Sequence, residues 1–256
     1  MSLVNKNEFF LLEEIIKKNF AAKYKDSVLG IFWSILKPLL IMIVLTIIFS
    51  KLFGRTIDNY PVYLLSGKII FDFFTAATNL SMRTLKANKQ ILKRTAAPKH
   101  IFVLGAVISE FINFIITVII LIGVMIVTKA PFHPLESIFA LLPIGSLILM
   151  TIGISFILSV LSIYYSDIEH LWGVITLVIM YASAIFYPME IIPEPYHSVM
   201  ILNPLFWVIN NFRILAIWGT MPSRLNLINL TLLSLIIFIA GIIVFKKYNK
   251  KITLKL

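Results

Sequence analysis

Ionisable groups set inside apolar runs are the side chains best placed to do chemistry in this 256-residue chain. Lys68 and Asp72 stand four residues apart, and Glu110 lies in the run SEFINF beside Ser109 and Asn113. One helical turn brings Lys68 to Asp72, so each charge lowers the cost of burying the other. A polar pathway or ion coupling would use such a pair, and a paired anchor against a neighbouring helix would need it just as well. Asn113 is placed to hydrogen-bond between helices. A proton-coupled carrier built on Asp72 and Glu110 would be expected to hold more groups of this kind, which makes it the weaker reading.

Other chemistries are excluded by what is missing. Gly67 is the only glycine followed by lysine, and Val62 and Ile69 stand where a GxxxxGK[ST] loop needs Gly and Ser or Thr, so the chain has no Walker A loop. His100, His133, His170 and His197 form no HExxH or other metal spacing, and each falls near an expected membrane boundary. The absence of cysteine removes disulfides, thiolate metal sites and Cys nucleophiles. With no nucleophile and base in register and no paired catalytic carboxylates, the chain is expected to be no enzyme and to bind no metal or cofactor itself.

The elements that must position these groups are membrane helices. Apolar residues make up 59% of the chain and charged residues 14%, against about 45–50% and about 25% in an ordinary globular domain. So little charge cannot cover a soluble domain of this length, and lipid is the expected solvent. That argues against a soluble enzyme or a nucleic-acid binder. The 23 Lys and Arg against 12 Asp and Glu, a net +11, then read as membrane orientation.

Residues 31–53, 62–80, 101–128, 137–163 and 225–245 approach or exceed the ~20 apolar residues of a spanning helix, and 171–187 is shorter but uncharged. The apolar stretch 199–218 is interrupted by Asn203, Pro204, Asn210, Asn211 and Arg213. Irregular polar backbone at membrane depth survives only against protein or water, so this stretch is expected to be re-entrant or interfacial. Six spans with cytoplasmic termini put sixteen of the 23 basic residues inside and five outside, whereas a seventh span weakens the split to twelve against eight.

The expectation is an all-α membrane protein, a single domain over 1–256. It has six spans, a cytoplasmic or interfacial segment over 1–29, a cytoplasmic helix within 86–98 and an external re-entrant segment over 188–222. Charges scattered through the first 26 residues argue against a signal peptide. Phe9, Leu12, Ile16 and Phe20 recur at helical spacing, while Glu13 to Lys17 and Glu14 to Lys18 form i,i+4 pairs on the other side. Two readings fit this pattern equally: an amphipathic helix on the membrane surface, or one that packs on the bundle.

Three stretches in register resemble the membrane subunit of ABC exporters that move polysaccharides or their lipid-linked precursors, the O-antigen and teichoic-acid exporter permeases. They are KYKDSVLGIFWSILKPLL from Lys23 to Leu40; YLLSGKIIFDFF from Tyr63 to Phe74 with NKQILKRTAAPKHI from Asn88 to Ile101; and IFYPMEIIPEPYHSVMILNPLFWVINNFR from Ile185 to Arg213. The resemblance covers essentially the whole chain. One departure is Ser166 before Asp167, where the family usually carries an Arg-Asp pair, so a salt bridge is not carried over to that loop.

The resemblance implies a two-fold dimer around the pathway in a prokaryotic cytoplasmic membrane, with two separate ABC ATPase subunits docked from the cytoplasm and holding the ATP and Mg. The loop from Lys86 to Pro98 would be the coupling helix, presenting Lys89, Lys93 and Arg94 to the ATPase, although topology alone would also account for these charges. The segment carrying Phe9, Leu12 and Ile16 would be a second contact, and Pro38 a point where the first span can kink. A glycan path needs aromatic rings for sugar C–H faces and polar groups for hydroxyls. Trp33, Phe71, Phe73, Phe74, Tyr181, Phe186, Tyr187 and Pro188 are candidates for it, with Asn203 and Pro204 in the gate, though most aromatics in such a chain face lipid or pack between helices. The same architecture would also suit a drug or lipid as cargo.

Overall fold

The computed structural model describes residues 6–24, 27–53, 57–95 and 97–255; the expected basic positions Lys25 and Arg55 lie outside them. Among the described residues the chain is nearly all helical, without a strand. Its α-helices are α1 (Lys6–Tyr24), α2 (Trp33–Phe53), α3 (Tyr60–Ala87), α4 (Lys89–Arg94), α5 (Lys99–Val127), α6 (Pro134–Phe139), α7 (Leu141–Tyr164), α8 (Ile168–Tyr181), α9 (His197–Ile201), α10 (Pro204–Ala216) and α11 (Arg224–Lys255).

α3 lies at the centre although it is more polar than the other long membrane helices. Ser66, Thr78, Ser81 and Thr84 on it are buried, small polar residues of the kind that let neighbouring membrane helices approach closely. α5 and α7 flank it. The Ser162 hydroxyl of α7 donates to the Met82 carbonyl (2.7 Å), and the Trp172 indole of α8 donates to the Thr78 hydroxyl (3.1 Å). Two other apolar helices, α2 and α11, sit at the edge. None of the strongly apolar stretch of α2 is buried, against 56% for α7. α11 packs along α7 where Gly153 and Gly241 meet backbone to backbone; a Cβ on Gly153 would lie 2.5 Å from the Ile237 carbonyl oxygen. Such close approach of small residues is how helices associate where no hydrophobic force separates them from lipid.

Four helices among the described residues are long and apolar enough to cross a membrane, starting at Gly30, Lys99, Pro134 and Arg224. Glu194–Ile201 and Pro204–Ala216 form a pair bent by 94°, which length and composition fit as a broken span or a re-entrant loop. α3 has 28 residues, about 42 Å at ~1.5 Å per residue, but its charges dilute its apolar character. α2 is continuous through Pro38.

The expected helix over 171–187 is corrected. α8 ends at Tyr181 after 14 residues, and Ala184 turns into the left-handed region with φ 49°. The carbonyls of Ala184, Ile185, Phe186 and Tyr187 are taken by side chains of α3 and α10, so they are turned away from helical bonding.

α1 packs on the bundle along one side, a contact that a helix lying at the membrane surface makes equally well. Ile15 is buried with Leu11 and Leu12 beside it, against the start of α5 and the ends of α3 and α7. Phe9, expected on the packed face, is 63% exposed, and Ile16 is half-buried. Lys17 pairs with Glu13 (2.8 Å) and Glu14 (3.3 Å), but Lys18 leaves Glu14 and reaches across to Asn88.

Candidate functional site

α3 carries a polar junction at each end, about 40 Å apart along a helix of this length. At its N-terminal end stands Arg213, 2% exposed. Among the described residues no carboxylate lies within ion-pairing distance of it. Its Nε donates to Ser66 Oγ (3.3 Å), its Nη1 to the Ala184 carbonyl (2.8 Å), and its Nη2 to the carbonyls of Tyr63 (2.9 Å) and Ile185 (3.2 Å). The guanidinium carbon lies 3.5 Å from the centre of the Tyr63 ring. A buried cation without partners would be prohibitive; here oriented carbonyl dipoles and a ring face replace water.

The same junction gathers two tyrosines. The Tyr60 hydroxyl donates to the Phe186 carbonyl (2.8 Å), and the Tyr63 hydroxyl reaches the carbonyls of Ala184 (3.0 Å) and Tyr187 (2.9 Å). Gly67 leaves the room, since a Cβ there would lie 2.5 Å from Arg213 Nη2. YLLSG, AIFYP and NNFR, far apart in sequence, thus meet at one guanidinium. In the sequence Arg213 stands out as an interruption of an apolar stretch and as the end of a resembling motif, and neither assigns it these partners. The signal that finds it is a lone ionisable residue in that stretch, which must have partners if it is buried.

At the other end α3 stops at Ala87, and α4 begins after Asn88. The Asn88 side chain donates to the Thr84 carbonyl (2.8 Å) and accepts from Lys18 of α1 (2.8 Å). Further along α1, Asn19 donates to Ser109 Oγ (3.3 Å) and Lys23 pairs with Glu110 (2.7 Å). Ile15, Leu85 and Leu92 share one apolar cluster beneath these bonds. α4 therefore hangs from Leu92, while Lys89, Lys93 and Arg94 are exposed. Pro98 caps the start of α5 in extended backbone. Lys17, on the outer face of α1, has its pKa pushed above the ordinary value by hydrogen bonds to Glu13 and Glu14.

Lys68, Asp72 and Glu110 are each paired. Lys68 bonds Asp72 within α3, and Glu110, beyond its bond to Lys23, accepts from Asn113 of its own helix (3.2 Å). Asn113 also donates to the Ser109 carbonyl of α5 (3.2 Å). In the loop after α7, Ser166 donates to Asp167 (3.2 Å). A bridge between helices forms two residues on, from Arg83 of α3 to Glu169 of α8 (2.9 Å).

The expected pathway aromatics divide. Phe73 and Phe74 are core side chains, packed on Phe114 and Trp172, and Phe71 is buried with them. Phe186 is buried between Phe49 and Tyr181. Trp33 and Tyr181 are exposed on the chain's surface, and the Tyr187 hydroxyl donates to the Tyr181 carbonyl. Asn203 caps α10, accepting from Leu205 N (3.0 Å) and donating to Ser183 Oγ (2.8 Å), with Pro204 at the first helical position, where its missing N–H costs nothing. Pro188 follows the turn in extended backbone. No cluster of metal-ligating residues occurs among the described residues.

The family model described as ABC-2 type transporter matches residues 11–217, a stretch that contains both junctions. O-antigen export system permease protein RfbA of Klebsiella pneumoniae is 30% identical over 241 residues, covering 93% of this chain and 92% of that protein. RfbA of Myxococcus xanthus is 21% identical over 247 residues, 94% of this chain and 93% of that protein. Polysialic acid transport protein KpsM of Escherichia coli is 22% identical over 237 residues, 92% of each.

Proposed function

We infer that the chain, which belongs to the ABC-2 type transporter family, is the transmembrane subunit of a polysaccharide ABC exporter. It is a multi-pass inner-membrane protein and a transport subunit rather than an enzyme. Polysaccharide permeases of this family work with a partner ABC ATPase. The observation that carries the reading is similarity over 93% of the chain to a protein named for O-antigen export.

On that basis the cargo is a lipid-linked cell-surface glycan of the O-antigen type. Two copies of the chain enclose the path, and two copies of the ATPase, holding ATP and Mg, dock from the cytoplasm. Six spans with both termini cytoplasmic fit the charge distribution best, and the bent pair of α9 and α10 is then re-entrant. α4 is the coupling helix. Its support is physical: a six-residue helix presents three exposed cations and hangs from an apolar anchor beside the break between α3 and α4. α1, joined to that break through Lys18, is the second contact. ATP binding draws the two α4 helices together, and α3, a rigid rod, carries the displacement to the outer junction, where the segment 188–222 opens. Differential contact of the two ATPase states with α4 supplies the driving free energy.

Co-purification tests this reading. The ATPase encoded with this chain is expected to be retained on the wild type and lost on the triple variant Lys89→Glu, Lys93→Glu, Arg94→Glu, which reverses the charge of α4 without touching Leu92. Equal retention on both would remove α4 from the docking surface, and no retention on the wild type would remove the partner.

A further inference from the structure

A cavity of about 560 Å³ opens beside Arg213, enclosed by the segment before α3, the loop after α5, the turn after α8 and α10. Its volume lies within the ~300–1,000 Å³ of small-molecule sites. It falls within one chain, and neither junction accounts for it. Asp58, Glu190 and Asn210 supply hydrogen-bonding groups to its wall, and Tyr63 and Trp218 supply rings. Trp218 is half-exposed. Arg213 lines it too. Of the five N–H donors of a guanidinium, four are used in the bonds above, which leaves one Nη1 hydrogen of a fully buried side chain without a partner among the described residues.

The backbone around the cavity is strained. Five described residues have φ in the left-handed region, and four of them border this space. Asn59 (φ 55°) and Ala184 (φ 49°) line it; Lys129 (φ 55°) precedes Ala130 in its wall, and Gly219 (φ 60°) follows Trp218. Non-glycine residues adopt this conformation at a cost, and it persists where surrounding contacts over-determine it, commonly at ligand clamps.

We propose that this cavity is a saccharide pocket that holds one or two neutral sugar units of the exported glycan at the outer end of each chain. The proposal rests on the exporter reading and adds a site and a sugar class to it. A pyranose ring offers a C–H face that stacks on an indole and hydroxyls that donate to carboxylates. Asp58 and Glu190 accept such hydroxyls and repel an acidic sugar, whereas the Arg213 charge is already held by carbonyls. A unit bound here keeps the emerging chain from sliding back while the ATPase resets.

Because the chain has no cysteine, single cysteines report directly on the pocket. Met189→Cys and Pro131→Cys place a thiol in its wall, and Ser198→Cys places one on the exposed α9 outside it. Each variant is expressed as the whole exporter in cells whose glycan synthesis is on or off and is labelled with a membrane-impermeant maleimide. Labelling at 189 and 131 is expected to slow at least fivefold when the glycan is made, with no change at 198, and the protecting glycan is expected to hydrolyse to neutral sugars. Unchanged labelling at both pocket positions, in cells that still export through this chain, overturns the pocket and leaves the exporter reading standing. A protecting glycan composed only of acidic sugars overturns the sugar class. Surface glycan that persists when the chain is deleted overturns the exporter reading itself.

Discussion

At one end of α3 the Arg213 guanidinium is held by backbone carbonyls from two segments, by Ser66 and by the ring of Tyr63. At the other end Lys18 and Lys23 reach Asn88 and Glu110 through long, partly exposed side chains. The two arrangements differ in how they can move. A guanidinium locked into backbone carbonyls can be released only by exposing several buried polar groups together. The bonds beside α4 join side chains singly, and water can replace them one at a time. The Arg213 junction is therefore the fixed point of the molecule and the junction beside α4 its adjustable joint, with the uninterrupted α3 between them.

The largest expected effect tests the fixed end. Arg213→Met removes the group that joins Ser66 to the carbonyls of Tyr63, Ala184 and Ile185, and a loss of about 3–5 kcal/mol is expected from breaking several buried hydrogen bonds to a charged group at ~1.5–3 kcal/mol each. In membranes this would read as near-complete loss of folded protein by size-exclusion chromatography. Arg213→Lys should recover little of it, because an ammonium cannot fork between these acceptors. A well-folded Arg213→Met protein would break the comparison. Gly67→Ala comes next, at about 1–3 kcal/mol for overpacking against Nη2, read as a lowered midpoint of thermal unfolding.

Effects at the adjustable end are smaller in stability and larger in coupling. A double-mutant cycle of Lys23→Met and Glu110→Gln should give an interaction of about 1 kcal/mol, because Lys23 is partly exposed to solvent. Lys18→Met should cost about 0.5 kcal/mol or less while raising the ATP hydrolysed per glycan exported severalfold, since it frees α1 from the break before α4. Stability loss matching that at Arg213 would contradict an adjustable joint. The smallest effect is at Lys17. Hydrogen bonds from its carboxylate neighbours raise its pKa, so its contribution is complete below the ordinary value of 10.5 and is lost as pH rises through the raised one. Lys17→Ala should therefore leave the pH dependence of unfolding unchanged between about pH 6 and 9.

Four long apolar helices, those starting at Gly30, Lys99, Pro134 and Arg224, were legible because apolar length is a one-dimensional property of sequence. The end of α8 was not, because Leu171 to Tyr187 is uncharged and the helix is stopped by Tyr60, Tyr63 and Arg213 from elsewhere in the chain. The packed face of α1 was misplaced for a similar reason. Phe9, Leu12, Ile16 and Phe20 make a regular stripe, but the surface that receives the helix selects Ile15, seated against Gly105 of α5. Lys68 with Asp72 could be read from spacing alone. The pairing of Glu110 with Lys23 joins residues 87 apart in sequence, a separation at which local pattern carries no information.

The central claim, that this chain carries a polysaccharide across the inner membrane at the expense of a partner's ATP, is tested most directly by where the glycan resides. Cells deleted for the chain should accumulate lipid-linked glycan on the cytoplasmic side and lack it at the surface. Restoring the chain should return it to the surface only while the partner ATPase can hydrolyse ATP. Surface glycan at wild-type level in the deleted strain, or export that continues with an inactive ATPase, would contradict the account.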